Sequence, residues 1–165
     1  MIRQFTPGQD NTRDYRDALG CFATGVTIVT APSATGGIGM TANSFSSISL
    51  TPPLVLWSPS KTSLRYPLFR DARHFAIHVM RADQKELALE FSRRGDAFDQ
   101  TRMRLGANGV PLIEDCLTRF ECVTTTLHDG GDHAIIVGEV QQVTICEGAP
   151  LVFAQSRYGA FDAGA

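Results

Sequence analysis

The feature that most limits how this chain can fold is the way its strand-like segments follow one another without helices between them. Val26-Thr27-Ile28-Val29-Thr30 is β-branched throughout and reads as a strand. Ser33 to Gly37 is turn chemistry, and residues 38–50 and 53–58 read as two more strands separated by Thr51-Pro52-Pro53. His74 to Met80 alternates like a half-buried strand. Residues 117–128 and 132–146 flank Asp129-Gly130-Gly131, a hairpin signal, and Leu151-Val152-Phe153 closes the pattern. A parallel pair needs a crossover of a dozen or more residues, usually a helix, and most of these connections are too short for one. About seven strands so arranged imply an antiparallel barrel in a mainly β fold.

Two or three short helices complete the expected elements. The first ten residues or so read as an N-terminal arm, residues 1–11, ahead of a single domain over 12–165. Asn11 or Thr12 can cap a helix in which Tyr15, Ala18, Leu19 and Phe22 recur at i, i+3, i+4 and i+7, with Gly25 just past its end. A helical turn is expected over Thr62 to Phe69, kept short by Pro67. Asp83 and Glu86 form a capping-box-like start for a helix that sets Leu87, Ala88 and Phe91 on one face. Residues 95–115 read as mostly irregular.

At 165 residues the chain can bury a core without disulfides or a structural metal. Its net charge of −2, with no basic block, excludes the electrostatic footprint of a nucleic-acid or anionic-membrane binder. No apolar run approaches the ~18 residues that span a bilayer, and Met1-Ile2-Arg3-Gln4-Phe5-Thr6-Pro7 has no apolar core of a signal peptide. A cytoplasmic protein is expected, with Cys21, Cys116, Cys122 and Cys146 as reduced, mostly buried thiols. Only 19% of residues are charged, which hints that a partner subunit covers part of the surface.

Several motifs tempt. Gly37-Ile38-Gly39-Met40-Thr41-Ala42 fits the dinucleotide fingerprint, but the segment after it is poor helix material, and the fingerprint works only by opening a helix toward a pyrophosphate. His74 and His78 suggest a metal pair, but four residues on a strand span roughly 13 Å, too far for one ion. No metal site is expected. Two polar clusters remain. Thr41, Asn43, Ser44, Ser46, Ser47 and Ser49 crowd what reads as an interior strand, where buried hydroxyls and amides need partners. Ser58-Pro59-Ser60-Lys61-Thr62-Ser63 stands where a helix should begin, and its hydroxyls, N–H groups and ammonium suit a phosphate. Together they point to a bound cofactor that carries phosphate.

The ordered blocks Phe22 to Thr30, Gly39 to Val55, Phe75 to Met80, Phe91-Ser92, Gly131-Asp132-His133 and Pro150 to Phe153 with Tyr158 resemble the short-chain flavin reductases that serve two-component flavin-dependent monooxygenases. That resemblance implies an FMN-binding split barrel, a homodimer, and transfer of a hydride from NADH or NADPH to FMN or FAD for a partner monooxygenase. It implies flavin contacts along Thr41, Ala42, Asn43, Ser44, Ser46 and Ser47, and a phosphate at Ser60, Lys61, Thr62 and Ser63. Phe91 and Ser92 would flank the flavin, with Thr27 nearby. His133 is the expected nicotinamide-side residue, with Tyr158 also on the substrate side. An electron-transfer flavoprotein of the same fold is the alternative. Two positions depart from the family: Trp57, which either joins the core or narrows the flavin site, and Ala97, where relatives carry a basic residue.

Overall fold

The computed structural model describes residues 2–162 and 164. Among them are twelve strands and three α-helices. The strands are β1 (Thr24–Gly25), β2 (Thr27–Ala31), β3 (Ile38–Ala42), β4 (Ser46–Leu50), β5 (Pro53–Trp57), β6 (His74–Val79), β7 (Met103–Leu105), β8 (Pro111–Ile113), β9 (Thr118–Gly130), β10 (His133–Ile145), β11 (Leu151–Ala154) and β12 (Arg157–Ala160). The helices are α1 (Thr12–Gly20), α2 (Tyr66–Asp71) and α3 (Lys85–Arg93). A seven-stranded antiparallel sheet runs β3-β2-β6-β9-β10-β5-β4, beside a three-stranded sheet β1-β11-β12 and the small pair β7-β8. The mainly β, antiparallel expectation holds.

β2 shows why its sequence lacks polar alternation. Val29 and Ala31 enter one core with Met40, Trp57, Phe75, Ile77 and Ile136, while Ile28 faces the other way into a second core with Met80, Ala88, Phe91, Ile113 and Leu151. A strand buried on both faces needs apolar or β-branched residues at every step. The β9–β10 hairpin turns over two residues, Gly131 and Asp132, with Gly131 at φ 80°, which only glycine adopts freely.

Several expected elements are corrected. Residues 38–50 are two strands rather than one: β3 and β4 lie at opposite edges of the large sheet, and Ser44 pins the crossing by accepting the Ser58 N–H at 2.9 Å. Ser46 and Ser47 are exposed on β4, so this stretch is no interior strand. α1 ends at Gly20, and Gly25 belongs to β1. Gln84 Oε1 accepts the Arg81 N–H and so closes the 3-10 turn Ala82–Gln84 that leads into α3, which has no side-chain cap of its own, while Asp83 instead binds the Arg81 guanidinium. β7 and β8 break up the region taken as irregular. β12 carried no turn signal, because Gln155 and Ser156 take positive φ without a glycine. Cys116 and Cys122 are buried, with thiols pushed up by burial to about 11 and about 12, but Cys21 is exposed.

Both nitrogens of fully buried His78 are committed to backbone. Nδ1–H donates to the Ile28 carbonyl at 2.9 Å, and Nε2 accepts the Ile113 N–H at 3.0 Å. The imidazole is a bracket between β2, β6 and β8, leaving it no lone pair for a metal.

Candidate functional site

β3 is an edge strand, so half of its backbone groups lack a strand partner. Gly39 shows which way they point: its N–H donates to Gly95 O at 2.8 Å, and its carbonyl accepts from Arg65. Thr41, two residues on, turns its N–H and carbonyl to the same side. There they border a cleft of about 190 Å³ lined by Val26, Thr41, Ala42, Asn43, Ser92, Phe153 and Tyr158. One wall is apolar: Phe153 and Tyr158 pack edge-on with ring centroids 5.0 Å apart. Burial raises the Tyr158 phenol above its ordinary pKa.

The hydroxyls expected to await a cofactor are mostly satisfied within the protein. Thr41 Oγ1 donates to Ala88 O at 2.6 Å and Thr27 Oγ1 to Ala42 O at 2.7 Å. Ser44 is bound to Ser58, and Ser92 Oγ donates to Leu89 O at 2.6 Å. These groups hold β3 against β2 and α3, and the cleft presents backbone and the Asn43 carboxamide. Thr24, paired with Phe153 across β1 and β11, has a buried hydroxyl with no partner among the described residues, the kind of group a ligand beside it can satisfy. An apolar aromatic wall facing polar backbone suits a flavin ring, whose faces are apolar and whose edge carries donors and acceptors.

Phe91 is corrected. Its ring is fully buried, stacked edge-on against Phe98 and lying over Gly39, so it backs β3 and only Ser92 reaches the cleft. The same contact explains the glycine fingerprint. Gly39 is bare because the Phe91 ring occupies the space of a side chain, and Gly37 is bare because Pro111 does; the segment is a strand. Trp57 is core, fully buried and edge-on to Phe69 at 5.0 Å, and does not narrow the cleft. Ala97 is also core.

A second group of residues forms at the tip of the β9–β10 hairpin. Ala134 N–H donates to Pro59 O at 3.1 Å and Lys61 N–H to Asp132 O at 2.9 Å, which lays Ser60 beside His133. Ser60, Lys61, Thr62 and Ser63 thus meet His133 across about seventy residues of sequence. They do not open a helix. α2 starts at Tyr66, and Ser60 Oγ bonds Thr62 Oγ1 at 2.9 Å in a turn before it. Any phosphate here would rest on hydroxyls and the Lys61 ammonium, without a helix dipole. That ammonium bonds the Asp129 carboxylate and, at 2.6 Å, Gly131 O, which holds the Asp129 carboxyl below its usual range. His133 Nδ1–H donates to Asp132 at 2.8 Å, so the ring is oriented, with no partner for Nε2 among the described residues, and the Asp132 carboxyl is likewise held low. Tyr158 lies in the β3 cleft and not with this group.

Sequence reasoning missed Arg65 and Phe153. Arg65 donates to the carbonyls of Gly39, Phe91 and Ser92. No local pattern marks an arginine whose partners are backbone carbonyls about 26 positions away in either direction.

An antiparallel barrel with an edge-strand cleft and a polar hairpin tip beside it defines a class, and comparison with known proteins identifies it. Residues 19–162 match the flavin reductase like domain. The chain is 54% identical over 157 residues to the FMN reductase (NADH) SmoA of Agrobacterium fabrum, covering 95% of this chain and 90% of that protein. It is 42% identical over 148 residues to the reductase component of a flavin-dependent trigonelline monooxygenase of Acinetobacter baylyi, covering 88% of this chain but 48% of that protein. The Rhizobium meliloti relative that is 46% identical is spanned over only 42% of its length. Among solved structures, the NADH:FAD oxidoreductase SgcE6 of Streptomyces globisporus, in complex with NAD and FAD fragments, superposes with a TM-score of 0.90 at 34% identity, covering 98% of this chain and 99% of that one. The chain belongs to the flavin reductase like domain family.

Proposed function

We propose that a flavin ring occupies the cleft between β3 and Phe153–Tyr158, with its phosphate toward Ser60–Ser63 and a nicotinamide entering on the His133 side. The activity is NAD(P)H-dependent flavin reduction, as in the named relatives. The observation that carries this placement is the junction of Ser60 with His133, which puts a polar turn and a free imidazole nitrogen at one hairpin tip.

The nicotinamide supplies a hydride at C4 and the flavin accepts it at N5. The chain's own part is alignment and charge. The outward N–H of Thr41 and the Asn43 carboxamide offer hydrogen bonds to the ring edge, Phe153 and Tyr158 exclude water from one face, and His133 Nε2 meets the donor. Holding both partners in one geometry can supply several powers of ten in rate. No general base is required. FMN or FAD serves as flavin. NADH is the favoured donor, because Arg93 and Arg94 are engaged by Glu90, Asp96 and Asp99 rather than open to a ribose phosphate.

Reduced flavin passes to a separate monooxygenase, a reading supported by the relatives that are reductase components. The working unit is a homodimer. The apolar stripe of α1 and the turn after it, Tyr15, Leu19 and Phe22, is 44%, 56% and 79% exposed in the single chain, a face that a second copy would bury.

His133→Ala is expected to raise KM for NADH about tenfold while kcat at saturation changes less than about threefold. Loss of turnover with an unchanged KM for NADH would contradict the assignment. Sedimentation of the same preparation should give twice the 17.9 kDa chain mass, and a monomer would refute the dimer.

A further inference from the structure

Arg65 is the only arginine among the described residues whose guanidinium bonds three backbone carbonyls. Nη1 donates to Gly39 O at 3.0 Å and Phe91 O at 2.6 Å, and Nη2 to Ser92 O at 2.8 Å. Phe91 and Ser92 lie in the last turn of α3, where carbonyls have no N–H partner within the helix, and a cation there also meets the negative end of the helix dipole. Gly39 lies on β3, two residues before Thr41. The Arg65 N–H donates to Ser63 Oγ at 3.3 Å, in the turn before α2. One residue therefore joins the edge strand and the end of α3 through its side chain, and the 60–63 turn through its backbone N–H. The first two of these supply Thr41, Asn43 and Ser92 to the cleft.

No acidic side chain shares this duty: the salt bridges found around α3 belong to Arg93 and Arg94, not Arg65. The guanidinium is half-buried, and desolvation lowers its pKa, yet an arginine remains charged across the working range. Its fork suits the task. Two nitrogens at fixed spacing reach three carbonyls, whereas a lysine ammonium at one point cannot hold all three at those distances.

We propose that Arg65 is the positioning residue that sets the width of the flavin cleft, holding Ser92 against β3 so that the cleft stands formed before the ring enters. It acts on the ring end of the flavin and does not itself ligate the phosphate. This inference rests on the placement of the flavin beside β3.

The test uses Arg65→Met, Arg65→Lys and, as a marker of the site itself, Asn43→Ala. Flavin affinity is read by equilibrium titration of flavin fluorescence, with FMN and with riboflavin, and kinetics by varying flavin and NADH separately. Arg65→Met is expected to weaken FMN and riboflavin alike by about tenfold, the scale of losing charge-assisted hydrogen bonds. Its KM for NADH and its kcat at saturating flavin should stay within about twofold, a split that general loss of structure would not produce. Arg65→Lys, which keeps the charge and stem, should fall between, at about threefold, and carries the test alone if the methionine variant does not fold. A loss confined to FMN would make Arg65 a phosphate ligand and overturn the proposal. So would unchanged affinity in a folded variant. If Asn43→Ala weakens binding and the Arg65 variants do not, only this inference fails; if neither class of variant matters, the placement of the flavin fails with it.

Discussion

Gly39→Ala is expected to destabilise the protein by about 1–3 kcal/mol and to weaken flavin binding with it, the cost of forcing an extra methyl into a packed core. The added Cβ would stand 2.5 Å from Phe91 Cδ1 and closer still to Cε1. Phe91 cannot step aside, because it is fully buried and backed by Phe98 at a centroid distance of 5.1 Å. The strand must therefore shift, and β3 carries Thr41 and the approach to Asn43. A second change, Phe91→Leu, removes the obstructing ring edge. Urea unfolding of the two single variants and the double variant should show the double less destabilised than the sum, by about 1 kcal/mol or more, since residues in contact couple. A glycine kept for close approach to a nucleotide would behave differently: alanine would cost binding with little cost in stability, and Phe91→Leu would not relieve it. Additive stabilities would refute the packing account.

The second large effect concerns acid. Burial drives the His78 imidazole down to about 3 from an ordinary value near 6.5; its bond to the Ile28 carbonyl pulls the other way, and nearby Arg119 adds to the lowering. The folded protein thus resists a proton that the unfolded chain accepts readily. Between pH 6.5 and about 3 the unfolded state binds more protons, so stability falls as pH falls, by about 1.4 kcal/mol per unit from this one group. Above pH 6.5 both states hold the neutral ring and the contribution is flat. His78→Leu should lose stability at pH 7, on the order of 2–4 kcal/mol, because the Ile28 carbonyl and Ile113 N–H are left buried without partners. It should also have a shallower fall between pH 6.5 and 4. Urea midpoints across that range compare the two directly, and parallel curves would show that His78 does not govern the acid response.

Much of the architecture could be read from residues whose pattern is local. The β-branched run at 26–30, the alternation at 74–80 and the glycine-bearing hairpin at 129–131 each became strands or turns close to the expected limits. What escaped depended on contacts distant in sequence. A single strand over 38–50 fitted the residue types, but its two halves pair with β2 and β5 at opposite sheet edges. The polar residues at 41–47 invited a cofactor because their protein partners, Ala88 and Ser58, cannot be seen in the local string. Phe91 stood beside the flavin only through the family resemblance, while the burial of its ring between Gly39 and Phe98 is set by contacts distant in sequence. Arg65 had no signature at all, since its ligands are main-chain oxygens. The apolar stripe of α1 was legible, and its face is uncovered in the single chain.

The central claim is the position of the flavin, and a crystal structure of the protein with FMN tests it most directly. The expected result places the ring in the β3 cleft against Asn43, Ser92 and Phe153, with the phosphate at the Ser60–Ser63 turn and the His133 Nε2 side of the ring open to a nicotinamide. A ring bound instead in the separate cleft bordered by His74, Glu121, Gln141 and Gln142, or a phosphate held away from residues 60–63, would contradict the account.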